Sequence, residues 1–283
     1  GDTIIVRDGV YAENVKVNKQ LTIRSENGSA NCIVHAANPN DHVFCVTADN
    51  VNISGFTVTG ATGYYKAGVY LSNSDYSRIE NIIASNNYEG IRLGYSNNNI
   101  LVDNTASSNN DFGIYLYYSS NNIIEDNTVS SNNYEGIFLG SSNNNTIENN
   151  TASNNHDGIY LYYSNNNTIE NNTASLNNEN GIFLWDSNNN IIYLNNFIDN
   201  TDQVYSYSST NIWNSTQPIT YTYNGKQFTN HLGNYWSDYR GTDANKDGIG
   251  DTPYSIDGDK DYYPLMERFE NYIGEEEEYK GKV

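Results

Sequence analysis

The sequence predicts an all-β fold, a right-handed parallel β-helix, from three observations. A tetrapeptide of Gly, a β-branched residue, any residue and Leu recurs in steps of 22 or 23 residues, starting at Gly68, Gly90, Gly113, Gly136, Gly158 and Gly181. Each repeat holds three short segments in which apolar and polar residues alternate. Runs of Asn and Ser separate these segments. A repeat of this length is typical of solenoids, and a leucine-rich repeat would need more Leu and a helical return.

The alternation assigns each segment of a repeat to one strand of a coil. In the first segment, Ile114 and Leu116 are predicted to face inward and Tyr115 outward. In the second, Ile124 and Asp126 are predicted to share one face, with Glu125 on the other. The third turns a small residue inward, as at Ala106, Val129, Ala152 and Ala174. Three short strands per turn describe a parallel β-helix.

The corners explain the composition. Asn accounts for 51 of the 283 residues, and only 17% of the chain is charged. Coils about 4.8 Å apart place equivalent residues in columns, so corner Asn side chains can hydrogen-bond along the stack. Asn also tolerates the left-handed backbone that tight corners require. The predicted corner runs are 97–99, 121–122, 143–145, 165–167 and 188–190.

The periodicity divides the chain into three parts. Residues 1–200 are predicted to form the β-helix, with less regular first coils built from strands such as TIIV at 3–6 and LTIRS at 21–25. Residues 201–270 lose the period and carry aromatic alternating strands, so we predict a C-terminal cap that covers the open end of the solenoid. Residues 271–283 contain EEEE and are predicted to be an acidic tail or linker.

The charge narrows the range of partners. With a net charge of −20, the chain has no basic stripe for nucleic acid or for an anionic membrane surface. No apolar run is long enough for direct membrane insertion. Cations and neutral glycans are the favoured partners. Because the sequence starts on the strand-like GDTIIV without a signal peptide, we expect a mature or excised segment of a longer, exported protein.

The C-terminal part resembles a known family. Its motifs are NNFIDN at 195–200, GNYWSDY at 233–239, GTDANKDGIGDTPY at 241–254 and DYYPLM at 261–266. They resemble the closing segment of NosD-like proteins, and the coils resemble the β-helix repeats called CASH domains. The Asn- and Tyr-rich repeats look like the archaeal, methanogen cell-surface type. The resemblance implies a right-handed β-helix at the cell surface. The copper role of some NosD proteins carries over poorly, because the chain has one Met, four His and two Cys.

A calcium loop is predicted at 243–254. Oxygen-bearing side chains at alternate positions, a Gly at the sixth and a backbone carbonyl at the seventh match the first part of an EF-hand-type loop. The predicted Ca²⁺ ligands are Asp243, Asn245, Asp247, Ile249 through its carbonyl, and Asp251. The twelfth position is Tyr254, so any remaining ligand comes from elsewhere. The alternative is an acidic turn without an ion.

An aromatic stripe on the outer face is the candidate binding surface. Its first column is Tyr70, Arg92, Tyr115, Phe138, Tyr160 and Phe183, and beside it lie Tyr117, Tyr162 and Trp185. Aromatic rings not needed in a core mark a binding surface, because they stack on sugars while neighbouring Asp, Glu and Asn bond hydroxyls. Contact with another copy of the chain and simple ladder packing are the alternatives.

Catalysis is the rival interpretation. Acidic residues stand just before the repeat Gly at Glu89, Asp111, Glu135 and Asp157, with His156 adjacent. Coil spacing brings such carboxylates near the separations of glycosidase pairs. The repeat produces such pairs in every coil, however, so this spacing is not specific. We find no non-repeating catalytic cluster in the sequence and name no catalytic residue.

Two further features fit an exported protein. Cys32 and Cys45 lie on neighbouring predicted strands, and either a disulfide or core packing is compatible with that. N-glycosylation sequons occur at Asn27, Asn52, Asn144, Asn149, Asn166, Asn171 and Asn214.

The function expected from the sequence is therefore extracellular. We expect a structural or adhesion module of the cell surface that binds glycans through an aromatic and acidic face. The alternatives are a polysaccharide hydrolase or lyase and a self-assembling sheath subunit, and fold alone does not choose among them.

Overall fold

The computed structural model describes residues 1–272. Nearly all of its regular structure is β-strand. In chain order the strands are β1 (Asp2–Val6), β2 (Gly9–Ala12), β3 (Val15–Val17), β4 (Leu21–Ser25), β5 (Cys32–His35), β6 (Phe44–Val46), β7 (Asn52–Ser54), β8 (Thr57–Thr59), β9 (Ala67–Ser72), β10 (Arg78–Glu80), β11 (Ile83–Ser85), β12 (Glu89–Gly94), β13 (Ile100–Val102), β14 (Thr105–Ser107), β15 (Ile114–Tyr117), β16 (Ile123–Glu125), β17 (Thr128–Ser130), β18 (Ile137–Gly140), β19 (Thr146–Glu148), β20 (Thr151–Ser153), β21 (Ile159–Tyr162), β22 (Thr168–Glu170), β23 (Thr173–Ser175), β24 (Asn180–Trp185), β25 (Ile191–Tyr193), β26 (Asn196–Ile198), β27 (Asp202–Tyr207), β28 (Ile219–Tyr223), β29 (Lys226–Asn230), β30 (Tyr235–Trp236), β31 (Tyr254–Ile256) and β32 (Asp259–Asp261).

The first 27 strands wind as a right-handed solenoid of nine coils. Every third strand joins the same parallel sheet, so β1, β4 and their successors form the first sheet. The second sheet starts at β2 and the third at β3. The register is strict: Ile91 pairs with Ile114, Ile114 with Ile137, and Ile137 with Ile159. The predicted right-handed parallel β-helix with three strands per coil is confirmed.

The core lies inside the three walls. The third sheet contributes inward Ile and Leu, such as Ile114 and Leu116, which are fully buried. The first sheet adds Ile124 and its ladder neighbours, and the second adds small residues such as Ala106. Burying a side chain of this size contributes about 1.5–3 kcal/mol, and the ladder repeats that contribution in each coil. The predicted inward positions of all three segments are confirmed, apart from Asp126.

Asp126 is the exception, because it is exposed and its φ is 54°. A residue in the left-handed region does not continue the strand, so the alternation stops at Glu125. The prediction that Asp126 shares a face with Ile124 was wrong. The chain turns a corner there, one residue earlier than the alternation suggests.

The corners show how Asn works in this fold. The residue before the last in each Asn run takes the left-handed conformation, with φ of 58° at Asn98 and 57° at Asn166. The residue that follows is buried and hydrogen-bonds along the stack. Asn145 illustrates this: its Nδ2 donates to the Ser119 carbonyl at 3.1 Å and to Asn167 Oδ1 at 3.1 Å. One residue therefore permits the turn, and the next satisfies the polar backbone that the turn leaves buried.

Two more buried Asn ladders follow the other two corners of the coil. One runs through Asn104, Asn127, Asn150, Asn172, Asn195 and Asn234, and the other through Asn87, Asn109, Asn132, Asn155, Asn177 and Asn200. In both, the Oδ1 of each Asn after the first accepts from the backbone N–H and the Nδ2 of the Asn one coil earlier. Each corner of the triangular cross-section thus has its own amide column.

The C-terminal segment closes the end of the solenoid. β30 pairs with β26, which brings Trp236 against Phe197 with ring centroids 4.6 Å apart. The C-terminal segment also contains two antiparallel hairpins, β28–β29 and β31–β32. The carboxylate of Asp261 is fully buried and accepts hydrogen bonds from the Asn234 N–H at 2.7 Å and the Trp236 indole N–H at 3.0 Å. A single acidic side chain therefore ties the β31–β32 hairpin to β30, the strand that stacks on the last strand of the second sheet.

The predicted boundaries need two adjustments. β27 belongs to the third sheet although it begins at Asp202, past the predicted end of the β-helix at residue 200. The predicted tail over 271–283 lies outside the described residues, apart from Asn271 and Tyr272. Tyr272 is buried in the cap and follows a short 3₁₀ helix, Phe269–Asn271. In residues 1–272, no helix is long and apolar enough to cross a membrane.

Candidate functional site

The outward side of the third sheet carries an ordered array of rings, which we call the aromatic face. Strict register places its side chains in two columns. The first column is Tyr70, Arg92, Tyr115, Phe138, Tyr160, Phe183 and Tyr205, and the second includes Tyr117, Tyr162, Trp185 and Tyr207. All nine residues that the sequence predicts for this surface lie on it.

The rings of the first column contact one another. Successive centroid distances are 5.2 Å for Tyr115–Phe138, 5.1 Å for Phe138–Tyr160, and 4.2 Å for Tyr160–Phe183, whose planes lie within 6° of parallel. Each such pair is worth about 0.5–1.5 kcal/mol beyond its buried area. The rings are half-buried by their neighbours and less exposed than the sequence predicts. Packing between neighbouring rings fixes their positions, and the outward side of the column still faces solvent.

The second column is more open to solvent. Tyr162 is 39% exposed and Tyr207 is 48% exposed. Trp185 packs on Tyr207 with centroids 4.5 Å apart, and the corner residue Tyr163 stands edge-on to Tyr162 at 4.5 Å. This column therefore offers ring faces and phenolic hydroxyls to a ligand along the edge of the third sheet.

Sequence reasoning missed several members of the face. Tyr205 and Tyr207 continue the two columns on β27, where Gln203 and Ser206 stand in place of the Gly and Leu of the tetrapeptide. Phe112 also joins the rings, 4.8 Å from Tyr115. The alternation in QVYSYS was the available signal for the tyrosines, because the outward positions keep their aromatic residues when the Gly and Leu are lost.

Arg92 is the cation of the face. Its guanidinium lies 5.3 Å from the Tyr70 ring centroid and 5.0 Å from that of Tyr115, within the range of cation–π attraction. One of its nitrogens also contacts both carboxylate oxygens of Glu89 at 3.2 Å. Glu89 is fully buried, so this pair anchors Arg92 among the rings.

Four carboxylates lie under the edge of the face, in an acidic column formed by Glu89, Asp111, Glu135 and Asp157. All four are buried, and the most exposed is 7% accessible. Burial raises the pKa of Glu89 to about 7, although Arg92 opposes the shift. Burial also raises the pKa of Asp111 to about 6 and that of Glu135 to about 7. Near neutral pH such groups can bind or release a proton.

The predicted calcium loop forms a tight turn in the cap. The Gly248 N–H donates to Asp243 Oδ2 at 2.9 Å, and the Ile249 N–H donates to Asp247 Oδ1 at 2.9 Å. Gly248 has a φ of 88°, which favours Gly. The Ala244 N–H donates to Asp251 Oδ2 at 2.9 Å, and Asn245 Nδ2 donates to Asp247 Oδ2 at 3.0 Å. These bonds order the loop in the form of an acidic turn, and its binding of Ca²⁺ stays a prediction.

The predicted modification sites divide by exposure. The sequon residues Asn27, Asn52, Asn144, Asn149 and Asn166 are exposed, whereas Asn171 and Asn214 are half-buried. The exposed corner residues Asn144, Asn149 and Asn166 have φ of 55–57°, which turns their side chains outward. Glycosylation of these residues stays a prediction.

The two thiols do not form the disulfide that the sequence leaves open, and both are free. Cys32 points into the core from β5 in the second sheet, where it is fully buried. Cys45 points outward from β6 in the third sheet, between the buried Phe44 and Val46. One thiol is inside the wall and the other outside, which accounts for the absence of a bond.

Comparisons with known proteins support the same fold. A cell surface glycoprotein of Methanothermus fervidus is 41% identical over 81 residues, which is 29% of this chain and 12% of that protein. The Dettilon tailspike protein has a TM-score of 0.56 at 15% identity, covering 74% of this chain and 56% of the tailspike chain. An alginate lyase from Paenibacillus sp. has a TM-score of 0.52 at 15% identity, covering 75% of this chain and 91% of the lyase.

The family model described as right-handed beta helix region matches residues 41–198 and 126–224. Together the two matches span more than half of the chain. The regular Asn-cornered coils all lie within this span, and so do most residues of the aromatic face. The chain therefore belongs to the right-handed β-helix family.

Proposed function

We propose that this chain is an extracellular, cell-surface module that binds a polysaccharide along its aromatic face. The observation that carries the proposal is the continuous ring column from Tyr115 to Tyr205, held in register by the sheet beneath it. An extended sugar chain presents a series of apolar ring faces, and a rigid aromatic ladder supports such faces at little entropic cost. Exposed tyrosines and Asn corners beside the ladder supply hydroxyls and amides for sugar hydroxyls.

Two further observations support the location and the class of ligand. The related region of Methanothermus fervidus belongs to a protein named a cell surface glycoprotein. The C-terminal motifs resemble those of NosD-like proteins, and the Asn- and Tyr-rich repeats resemble the archaeal cell-surface type. A net charge of −20 repels polyanions, so we propose a neutral glycan.

Trp185 provides a direct assay. Trp213 and Trp236 are buried in the cap region, whereas Trp185 lies on the aromatic face. Titration with soluble mannan, laminarin and hydroxyethyl cellulose, with alginate as the anionic comparison, should change the Trp185 fluorescence for at least one neutral polymer. Tyr160→Ala should weaken that binding about tenfold, which corresponds to about 1.4 kcal/mol. Tyr262→Ala, at an exposed tyrosine in the cap, is the matched control and should have no effect.

A second function, polysaccharide cleavage, is favoured by one observation. Buried carboxyls with raised pKa values, such as Glu89 and Asp111, have the character of general acids. The same titrations, followed by assays for reducing ends and unsaturated products, distinguish the two functions. Binding without product supports the module. A product that disappears in Asp111→Asn would replace it with an enzyme, and an absence of both binding and product would contradict both proposals.

A further inference from the structure

Two buried carboxylates of the acidic column, Asp111 and Glu135, have no lysine or arginine among the ion pairs of residues 1–272. Of these two, Glu135 also has a buried carboxylate oxygen without a hydrogen-bond partner. Glu89 and Glu135 each directly precede the Gly of their tetrapeptide, two coils apart. Glu89 is paired with Arg92, three residues later. The register passes from Arg92 through Tyr115 to Phe138, so an aromatic ring occupies the corresponding position beside Glu135. The carboxylate therefore recurs two coils later without an arginine beside it.

Glu135 is nevertheless buried, like the paired Glu89. It is 7% exposed, and its Oε2 atom is buried without a hydrogen-bond partner. The ion pairs found in residues 1–272 give Glu135 no lysine or arginine. An ionised carboxylate in such a place is costly unless a positive charge lies beside it. A cation bound here from outside the chain would supply that positive charge.

The next coil supplies two further ligands. One ligand atom from each of Glu135, His156 and Asp157 lies within 4.8 Å of the other two. Asp157 is 2% exposed, and its Oδ1 accepts from the N–H and the Nδ2 of Asn180, both at 2.8 Å. Those bonds fix the carboxylate and leave its other oxygen, Oδ2, 3.2 Å from His156 Nδ1. Asn180 thus orients this side chain as outer-shell groups orient metal ligands.

We propose that Glu135, His156 and Asp157 bind one divalent transition-metal ion of the Zn²⁺ type. One imidazole and two carboxylates are ligands that zinc accepts, and the imidazole favours such an ion over Ca²⁺ or Mg²⁺. The ion supplies to Glu135 the positive charge that Arg92 supplies to Glu89. This site is separate from the predicted calcium loop in the cap, which offers oxygen ligands alone.

The surroundings leave room for the ion to enter. The His156 side chain is 46% exposed, so it can rotate toward the carboxylates. Zinc bonds of about 2.0–2.1 Å place ligand atoms a little over 3 Å apart. His156 Nδ1 and Asp157 Oδ2 already lie 3.2 Å apart, and no ligand atom of the three is more than 4.8 Å from another, so no pair has to close by more than about 1.5 Å. A surface cavity lined in part by His156, Asp157 and Glu179 opens beside them. Water or a ligand group has access there to the fourth position of a tetrahedral ion.

Calorimetric titration of the full chain with ZnCl₂, after EDTA treatment and dialysis, tests the proposal. We expect one equivalent of Zn²⁺ to bind at least tenfold more tightly than Ca²⁺ at this site. Glu135→Gln and His156→Ala should each weaken Zn²⁺ binding at least tenfold. His35→Ala, at an exposed histidine of the early coils, and Glu125→Gln, at a half-exposed glutamate, are matched controls that should leave it unchanged.

Substitution of Co²⁺ adds a readout of the ligands. Visible absorption bands of bound Co²⁺ should appear with the native chain and disappear with His156→Ala. Circular dichroism checks that each variant keeps its β-structure, and the exposed position of His156 preserves the test if Glu135→Gln fails to fold. No Zn²⁺ binding at millimolar concentration, or binding that neither variant alters, would overturn the proposal.

Discussion

Replacing a single buried asparagine in a ladder should destabilise the solenoid strongly. Asn132 is 3% exposed, and its Nδ2 donates to the Ala106 carbonyl and to Asn155 Oδ1, both at 3.0 Å. Its Oδ1 accepts from the backbone N–H of Asn109 at 3.1 Å and from Asn109 Nδ2 at 3.0 Å. Asn132→Ala removes these four bonds and leaves the Asn109 N–H buried without its acceptor.

Each buried polar group left without a partner costs about 1–3 kcal/mol, so we expect a loss of about 3 kcal/mol in the free energy of unfolding. Asn133→Ala is the matched control. Asn133 is the next residue and its side chain is exposed, and the hydrogen bond from its backbone N–H to the Asn109 carbonyl is kept in the variant. Denaturant unfolding followed by circular dichroism measures both. A loss below about 1 kcal/mol for Asn132→Ala, or equal losses in the two variants, would refute the claim that the amide columns stabilise the coils.

Three other changes test separate parts of the structure. Leu176 is 55% exposed with a φ of 55°, at a corner where the preceding coil has Asn154. Because Asn tolerates this left-handed backbone better than Leu, Leu176→Asn should stabilise the folded chain by about 0.5–1 kcal/mol and raise the melting temperature. A lower melting temperature would contradict the backbone argument. Arg92→Gln leaves Glu89 buried without its cation, so it should lower the free energy of unfolding, measured with denaturant, by about 2–4 kcal/mol. The double variant with Glu89→Gln should recover at least half of that loss. Burial raises the pKa of Asp261 to about 6, despite four N–H donors, so the folded chain binds this proton more tightly than the unfolded chain does. The stability it contributes below about pH 4 should therefore fall by about 2–3 kcal/mol as the pH rises through 6, and Asp261→Asn should flatten that part of the profile.

The coil architecture was predictable because periodicity reports which way each side chain points. Ile114 and Leu116 alternate with Tyr115, and the same pattern repeats at nearly constant spacing, so one coil predicts its neighbours. The corners were harder. Asp126 follows Ile124 at the spacing of a strand, yet its left-handed φ ends the strand. Backbone conformation at a corner depends on the stacked coils, which a pattern of polarity alone does not encode.

The aromatic face was predictable in its members and less so in its surroundings. Register follows from the repeat, so the columns through Tyr160 and Phe183 could be placed from spacing alone. How far each ring is covered depends on its neighbours in three dimensions, including Phe112 from outside the tetrapeptide. The cap was less accessible still, because contacts such as Trp236 with Phe197 join residues that no period relates.

Departures from the repeat indicate where chemistry resides in this solenoid. Residues that recur in successive coils, such as the Asn columns, are explained by their own ladder contacts. Arg92 interrupts a column of rings, and Phe138 occupies the corresponding place two coils later, although Glu135 stays buried below it. Glu135 thus lies buried without the arginine that Glu89 has, and His156 and Asp157 on the next coil each place a ligand atom within 4.8 Å of it, where a bound metal ion would supply the positive charge.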